Sequence, residues 1–389
     1  MRIPRFIAEL CTFPHRGSGS ANERRAAEYL VSTMRAIGLE PWLESFRSQA
    51  RMTWELVVII GYVAGGVVLA RWWPVGGWAL ATGGLLLFWG HFSVRFKPVA
   101  RLFCHAPSQN VVARLGNQNA KCHVVLAAHY DTARSGLMWH PKQVRSFRAN
   151  FLFGVAVLVL VELLLLLRAF GARGLLLDVL LLAGLLYMLA YLAILLHAGL
   201  AAPRVQGAAD NASGVAVLLD LAVALHQEPL RHCQVWVLAT GSEETGALGM
   251  RDFVRRHATD LPPAATHFLV FDSLGSGKLH YCVGEGMLEV CRFRGPLVEL
   301  ARQLTTREPF REVTPLVYRL AYTDAVVPAR HGYPTLLLLA TDAAGGLPHW
   351  HWPTDTLENV DFSVPQLASR FALALLRRLD AVAGSSAPA

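Results

Sequence analysis

Four stretches of the chain are apolar almost without interruption: 56–70, 75–92, 151–167 and 175–196. The first two are joined by "RWWPVGG" and the last two by "RAFGARG". Each approaches the ~17–25 residues needed to cross a bilayer, and Trp54 and Trp72 flank the shortest run as interfacial anchors do. The pattern predicts four transmembrane helices in two tight hairpins. A buried core helix is the competing explanation, most of all for the first run.

Elsewhere the pattern shortens and alternates. "CHVVLAAHYD", "CQVWVLATGSEE", "ATHFLVFDSLGS" and "YPTLLLLATDAA" are brief runs rich in Val, Leu and Phe, as buried parallel strands are. Between them lie amphipathic stretches, "NASGVAVLLDLAVALHQ", "GALGMRDFVRRHATD" and "LVELARQLTT". "SANERRAAEYLVSTMRAIGLE" reads as a helix capped by Ser20 or Asn22, and "FSVPQLASRFALALLRRLDAVAG" as a final helix with basic residues late in its course. The tail "GSSAPA" is predicted to be disordered. Alternation of this kind predicts an α/β fold, a mostly parallel mixed sheet flanked by helices. The expected organisation is a discontinuous domain of 1–52, 93–148 and 201–389, interrupted by hairpins at 53–92 and 149–200.

Composition agrees with a membrane protein: 53% of the 389 residues are hydrophobic and only 16% are charged. The opening "MRIPRFIAELCTFPHRGSGS" has no apolar centre of signal-peptide length, so the first hairpin is expected to direct insertion. Arg47, Arg51, Arg95, Lys97, Arg101, Lys142, Arg145, Arg148 and Arg204 flank the hairpins on the side of the termini, against Arg71, Arg168 and Arg173 at their tips. This bias predicts a multi-pass integral membrane protein with its main domain in the cytoplasm. It also accounts for much of the net charge of +8. Anionic lipid is therefore the expected partner of the basic residues, and no nucleic acid is required. The six cysteines form no CxxC pair, in keeping with a reducing compartment. Glu162, inside the third apolar run, is costly in hydrocarbon and is either functional or turned towards another helix.

The candidate chemistry gathers at strand ends. Three predicted strands finish at His129-Tyr130-Asp131, Glu243-Glu244 and Asp272, and two loops carry Asp210 ("GAADNASG") and His351 ("HWHWPTDT"). Ligands of α/β sheets bind beyond the carboxyl ends of the strands. Each segment alone is explicable as a cap or turn, with Thr240 or Ser242 opening a helix and Asp210 or Asn211 capping another. Together they place five carboxylates and two imidazoles at one edge with no matching basic cluster beside them, and uncompensated buried carboxylates are prohibitively costly. Mixed nitrogen and oxygen donors suit zinc or a similar divalent ion.

In order, "RGSGSANERRAAEYL", "AAHYDTA", "GAADNASG", "TGSEETGALG", "FDSLGSG" and "HWPTDTLENVD" resemble the M28 zinc aminopeptidases over nearly all of the chain outside the hairpins. The resemblance implies a zinc aminopeptidase-like fold, two Zn2+ per chain and a peptide or amide substrate. His129 and Asp272 would hold one ion, Glu244 and His351 the other, and Asp210 would bridge both. Glu243 would be the general base, and Asp131 would accept the remaining ring N–H of His129. No oligomeric state is implied.

The chain departs from the family pattern in three places. "HWHW" offers two histidines; the family spacing selects His351 and leaves His349 as a pocket residue, with Trp350 between them. Ala325 follows Asp324 where the family usually has His, so Asp324 and the nearby Tyr322 are assigned only supporting contacts with substrate. The second hairpin interrupts the chain between Asp131 and Asp210, which brings the membrane helices to the rim of the site. Rim aromatics Trp139, Trp350 and Trp352 then suit a hydrophobic pocket, an interfacial belt or simple packing. The alternatives to a peptidase are a glutaminyl-cyclase-like zinc acyltransferase and a non-catalytic receptor or scaffold on the same fold. A transporter would need more intramembrane polar groups than Glu162 and Asp178. Serine-hydrolase and phosphate-loop chemistry lack their motifs.

Overall fold

The computed structural model describes residues 2–385. Its strands are β1 (Trp42–Ser48), β2 (Ala106–Leu115), β3 (Cys122–His129), β4 (Cys233–Thr240), β5 (Thr266–Asp272), β6 (Lys278–Glu285), β7 (Cys291–Arg292), β8 (Thr314–Tyr318) and β9 (Thr335–Thr341). The four short runs expected to be buried strands are β3, β4, β5 and β9. They lie side by side in the order β4-β3-β5-β9 and run parallel. Every residue of β4, β5 and β9 is buried, because helices cover both faces. The margins make the sheet mixed: β1–β2, β2–β4, β6–β9 and β6–β7 are antiparallel, while β8 joins β6 in parallel.

The helices are α1 (Arg2–Leu10), α2 (Ala21–Ile37), α3 (Thr53–Leu69), α4 (Pro74–Phe92), α5 (Pro141–Val144), α6 (Phe147–Ala169), α7 (Leu175–Leu200), α8 (Ser213–Gln227), α9 (Leu248–Arg256), α10 (Pro296–Leu304), α11 (Val326–Arg330) and α12 (Ser363–Ser385). One face of the sheet packs against α1, α2, α8, α10 and α12, the other against α9 and α11. Of the two possible caps on α2, Ser20 accepts the N–H of Glu23 at 3.2 Å, and Gly38 closes the helix at φ +98°. No helix opens directly after β4, where Thr240 or Ser242 was a candidate cap; residues 241–247 form an irregular turn before α9. The predicted disordered tail begins inside α12, which runs through Gly384 to Ser385, and its last four residues lie outside the described residues.

Among the described residues, three helices are long and apolar enough to cross a membrane, over Phe147–Ala169, Leu175–Leu200 and Ala208–Gln227. The third lies within the domain, 83% buried, whereas the first two are only 22% buried. The latter are α6 and α7. They form a ring with the shorter α3 and with α4, in which α3 packs on α4 and α7, and α6 packs on α4 and α7. Gly66 and Gly77 let α3 and α4 touch backbone to backbone: a Cβ on Gly66 would lie 2.6 Å from the Gly77 carbonyl. Inside the ring, the hydroxyl of Thr82 donates to the Glu162 carboxylate, so this acid does face a neighbouring helix.

Candidate active site

Strand register aligns the site. His129 at the end of β3 lies beside Thr240 at the end of β4, and Asp272 ends β5 next to β9. The chain turns abruptly at each of these places. Ser242 (φ +56°), Ala247 (φ +56°), Ser273 (φ +48°) and His351 itself (φ +49°) occupy the left-handed region. Non-glycine residues there cost ~1–3 kcal/mol each and persist where surrounding contacts impose them.

Those contacts are specific. The Asp131 carboxylate accepts the Ser18 hydroxyl at 2.7 Å and the backbone N–H groups of Glu243 and Glu244 at 2.8 and 3.2 Å. It therefore holds the acidic turn in place. His129 Nδ1 lies 3.7 Å from that carboxylate but 3.2 Å from the backbone carbonyl of Asp131. On the opposite loop, Asp355 accepts the N–H of Ala209 at 2.6 Å and of Asp210 at 3.2 Å. Asn211 ties the same loop to β5, donating to the Phe271 carbonyl at 2.9 Å and accepting from Ser273 at 3.2 Å. Arg16, fully buried, donates to the carbonyls of Tyr130, Gln206 and Gly207.

The side chains so held converge. His129 Nε2 lies 3.2 Å from Asp210 Oδ1 and 3.7 Å from Asp272 Oδ2. His351 Nε2 is 3.1 Å from both Asp210 Oδ2 and Glu244 Oε2. Donor atoms of His129, Asp210 and Glu244 all fall within 4.8 Å of one another. Asp210 thus stands between the two imidazoles, one oxygen towards each. Glu244 Oε1 is buried without a hydrogen-bond partner. Two imidazoles and three carboxylates turned inwards, with one carboxylate oxygen unmatched, fit zinc or a similar divalent cation.

The electrostatics of the cation-free cluster follow from this crowding. Burial opposes charge on His129, yet bonds to Asp131, Asp210 and Asp272 raise its pKa well above the usual histidine value. His351 is pushed up to about 10, against its burial, by Glu244 and Asp210. Burial opposes charge on Asp210 too, but both imidazoles hold it below the usual carboxylate range. Glu243 is raised by burial and by Glu244, Asp324 and Asp272, against the pull of His129. Burial lifts Asp324 to about 7; its Oδ2 accepts from Thr240 and its Oδ1 has no partner.

Tyr322 and Trp350 line the cleft around this cluster; His349 does not, and hydrogen-bonds Thr354 at 2.7 Å instead. Of the rim aromatics, Trp139 packs edge-on against Trp350 and His351, with ring centroids 4.6 and 4.3 Å apart. Trp352 packs on His140 outside the cleft. Lys97 donates to Tyr322 Oη at 2.9 Å.

A further polar chain, which the sequence-based expectations did not include, starts in the first hairpin. Glu55 in α3 faces His91 in α4 at 2.8 Å, both 1% exposed. Gln49 Nε2 reaches the other oxygen of Glu55 at 3.2 Å and the carbonyl of Thr245 at 2.7 Å. The hairpin is thereby tied to the turn that carries Glu243 and Glu244. Its one sequence signal is a buried acid and a buried histidine at the domain-side ends of two apolar helices.

A mixed α/β sheet with this acidic and imidazole centre at its strand ends is laid out to hold divalent cations. Residues 193–376 match the family model of peptidase family M28. Among solved structures, a zinc aminopeptidase from Bacillus subtilis is similar with a TM-score of 0.59 and 14% identity, over 97% of this chain and 94% of its own. A Zn-dependent exopeptidase from Parabacteroides distasonis aligns with a TM-score of 0.57 at 12% identity, over 97% of each chain. Porphyromonas gingivalis glutaminyl cyclase aligns with a TM-score of 0.56 at 14% identity, again over 97% of each. No curated protein matches the chain by sequence.

Proposed function

We propose that the chain is a membrane-anchored di-zinc metallopeptidase, an aminopeptidase that hydrolyses N-terminal peptide bonds. The observation that carries this is the meeting of His129, Asp210 and Glu244 within 4.8 Å, with Glu243 beside them on the same turn. His129 and Asp272 would hold one Zn2+, Glu244 and His351 the other, with Asp210 shared. Zinc in such a site supplies Lewis acidity and lowers the pKa of a bound water.

The remaining steps belong to the protein. Glu243, held by Asp131 through its own backbone N–H, takes the proton of the attacking water. As the carbon–nitrogen bond breaks, it passes that proton to the leaving amine. Asp131 also fixes Glu244, while Asp355 fixes Asp210 from the other side. Tyr322 and Trp350 border the substrate, whereas Asp324, 1% exposed and bonded to Thr240, lies behind the cleft wall.

Hairpins 53–92 and 149–200 would span the bilayer, with the discontinuous peptidase domain on the cytoplasmic side. The exposed apolar surface of α6 and α7, including Leu163, Leu167, Leu182 and Leu186, supports this placement.

The test is release of a chromophore from aminoacyl amides by zinc-supplied protein purified in detergent. Glu243→Gln should lower kcat by ~10²–10⁴-fold while bound zinc remains. Unchanged turnover in that variant would refute the assignment. The similarity to a glutaminyl cyclase favours one other outcome, zinc-dependent cyclisation of an N-terminal glutamine with release of ammonia. That would appear with glutaminyl peptides and without amide hydrolysis.

A further inference from the structure

The cleft does not end at the peptidase domain. Leu56, Phe92, Met138, Phe147, Phe151 and Tyr191 line both it and a second cavity inside the helical ring. That chamber has a volume of about 640 Å³, within the ~300–1,000 Å³ typical of ligand sites. All four hairpin helices wall it: Ile60 of α3, Phe88 of α4, Val155 and Leu158 of α6, and Met188 and Ile194 of α7. Its polar residues are grouped towards the domain, at His140, Lys142, Gln143 and Asn150. Beyond Leu158 and Met188 the ring closes on packed Val63, Val67, Val161 and Leu165. The wall of α6 from Phe147 to Leu158 is about 16 Å long at ~1.5 Å per residue. That matches half of the ~30 Å hydrocarbon layer, the reach of one leaflet's chain.

We infer that the substrate is an amide bearing one long hydrocarbon chain, with the amide at the His129–Asp210–Glu244 cluster and the chain running past Phe92, Phe147 and Phe151 into the chamber. The inference rests on the peptidase function proposed above and specifies its substrate class. A water-soluble peptide has no use for a mainly apolar chamber continuous with the cleft. A chain already dissolved in the bilayer enters it without crossing water, since the chamber lies between helices that face lipid. Hydrolysis joins the water oxygen to the carbonyl carbon, breaks the carbon–nitrogen bond and moves the water's proton through Glu243 to nitrogen. The products are a carboxylate and an amine, one of them carrying the chain.

Two measurements test this on the full-length zinc-loaded protein. The first compares kcat/KM for leucyl alkylamides and for N-acyl leucine anilides, with chains of two and of about fourteen carbons, the length of one leaflet. In one series the long chain should be preferred at least about tenfold, as burial of a few methylenes requires. Ala190→Trp and Gly154→Phe, which fill the chamber from α7 and α6, should abolish that preference and leave the short amide unaffected. Equal rates at both lengths in both series, or a preference that survives both substitutions, would overturn the inference. The second measurement needs no turnover. A leucyl amide of a long-chain amine with a terminal diazirine should, on illumination, label residues facing the chamber such as Ile60, Leu158 and Met188. Labelling confined to the outer faces of α6 and α7 would overturn the inference. Chamber labelling without hydrolysis of any amide would retain the chain site and reject the peptidase function.

Discussion

Gln49 is the hinge-pin between the first hairpin and the acidic turn, and replacing it tests whether the two act together. The side chain is completely buried and its single amide nitrogen serves two acceptors, the Thr245 carbonyl and a Glu55 carboxylate oxygen. Gln49→Ala leaves both without that donor. An unsatisfied buried acceptor costs ~1–3 kcal/mol, and more when charged, so the substitution should destabilise the fold by about 2–4 kcal/mol. At ~2–4 °C per kcal/mol for a domain of this size, the thermal midpoint should fall by about 4–16 °C. Thr245 follows Glu243 and Glu244 directly, so a released carbonyl also frees the turn. A displacement near 1 Å at a catalytic group costs on the order of 10²-fold in rate. The assay is a thermal scan with zinc present, followed by kcat on an aminoacyl amide and zinc content by mass. Combining Gln49→Ala with Glu55→Ala should give non-additive losses, with an interaction of ~0.5–3 kcal/mol. A wild-type midpoint and kcat in Gln49→Ala, or strict additivity with Glu55→Ala, would refute the coupling of hairpin and turn.

Three further outcomes are expected. In the metal-free protein His351, pushed up to about 10, and His129, raised well above the usual value, both carry protons at pH 7. Zinc must displace them, so its affinity should weaken as pH falls, and calorimetry in buffers of different ionisation enthalpy should register proton release; binding without release would contradict the geometry. Gly214→Ala places a Cβ 2.7 Å from the Phe271 carbonyl and against the Asn211 amide, which should cost ~1–3 kcal/mol by overpacking and lower the thermal midpoint. Reporter fusions should place both termini in the cytoplasm and the tips near Arg71 and Arg173 outside; an external carboxyl terminus would reverse the proposed topology.

The parts legible in the sequence are those where one physical demand dominates. The central strands β3, β4, β5 and β9 are covered on both faces, so continuous apolar runs announce them. The marginal strands β1 and β6–β8 mix exposed with buried positions, are as short as two residues in β7, and leave no such run. α1 did carry a signal, Ile3, Phe6, Ile7 and Leu10 on one buried face, that its short length concealed. α6 and α7 extend beyond their apolar windows, since hydropathy marks contact with hydrocarbon and not the end of a helix.

At the site, parallel strands bring His129, Glu244 and Asp272 to one edge, which the sequence pattern anticipated, whereas Asp210 and His351 lie on loops and were singled out by the motifs around them. Ser18, Arg16, Asp355 and Gln49 were not. Arg16, Asp355 and Gln49 act on backbone N–H and C=O groups far away in the chain and Ser18 on the distant Asp131 carboxylate, and no spacing along a sequence tells which group a side chain will meet.

The second hairpin lies between Asp131 and Asp210, and this placement sets a timetable for synthesis. When the ribosome has completed β3, the nascent chain holds His129 and Asp131 alone among the site's acids and imidazoles. Asp210, Glu244, Asp272 and His351 emerge only after both hairpins have been made. A chain stalled before insertion lacks most of its centre, and one that fails to insert must close the site around two apolar hairpins left in water. If the hairpins span the bilayer as proposed, hydrolytic competence would be deferred until they have inserted.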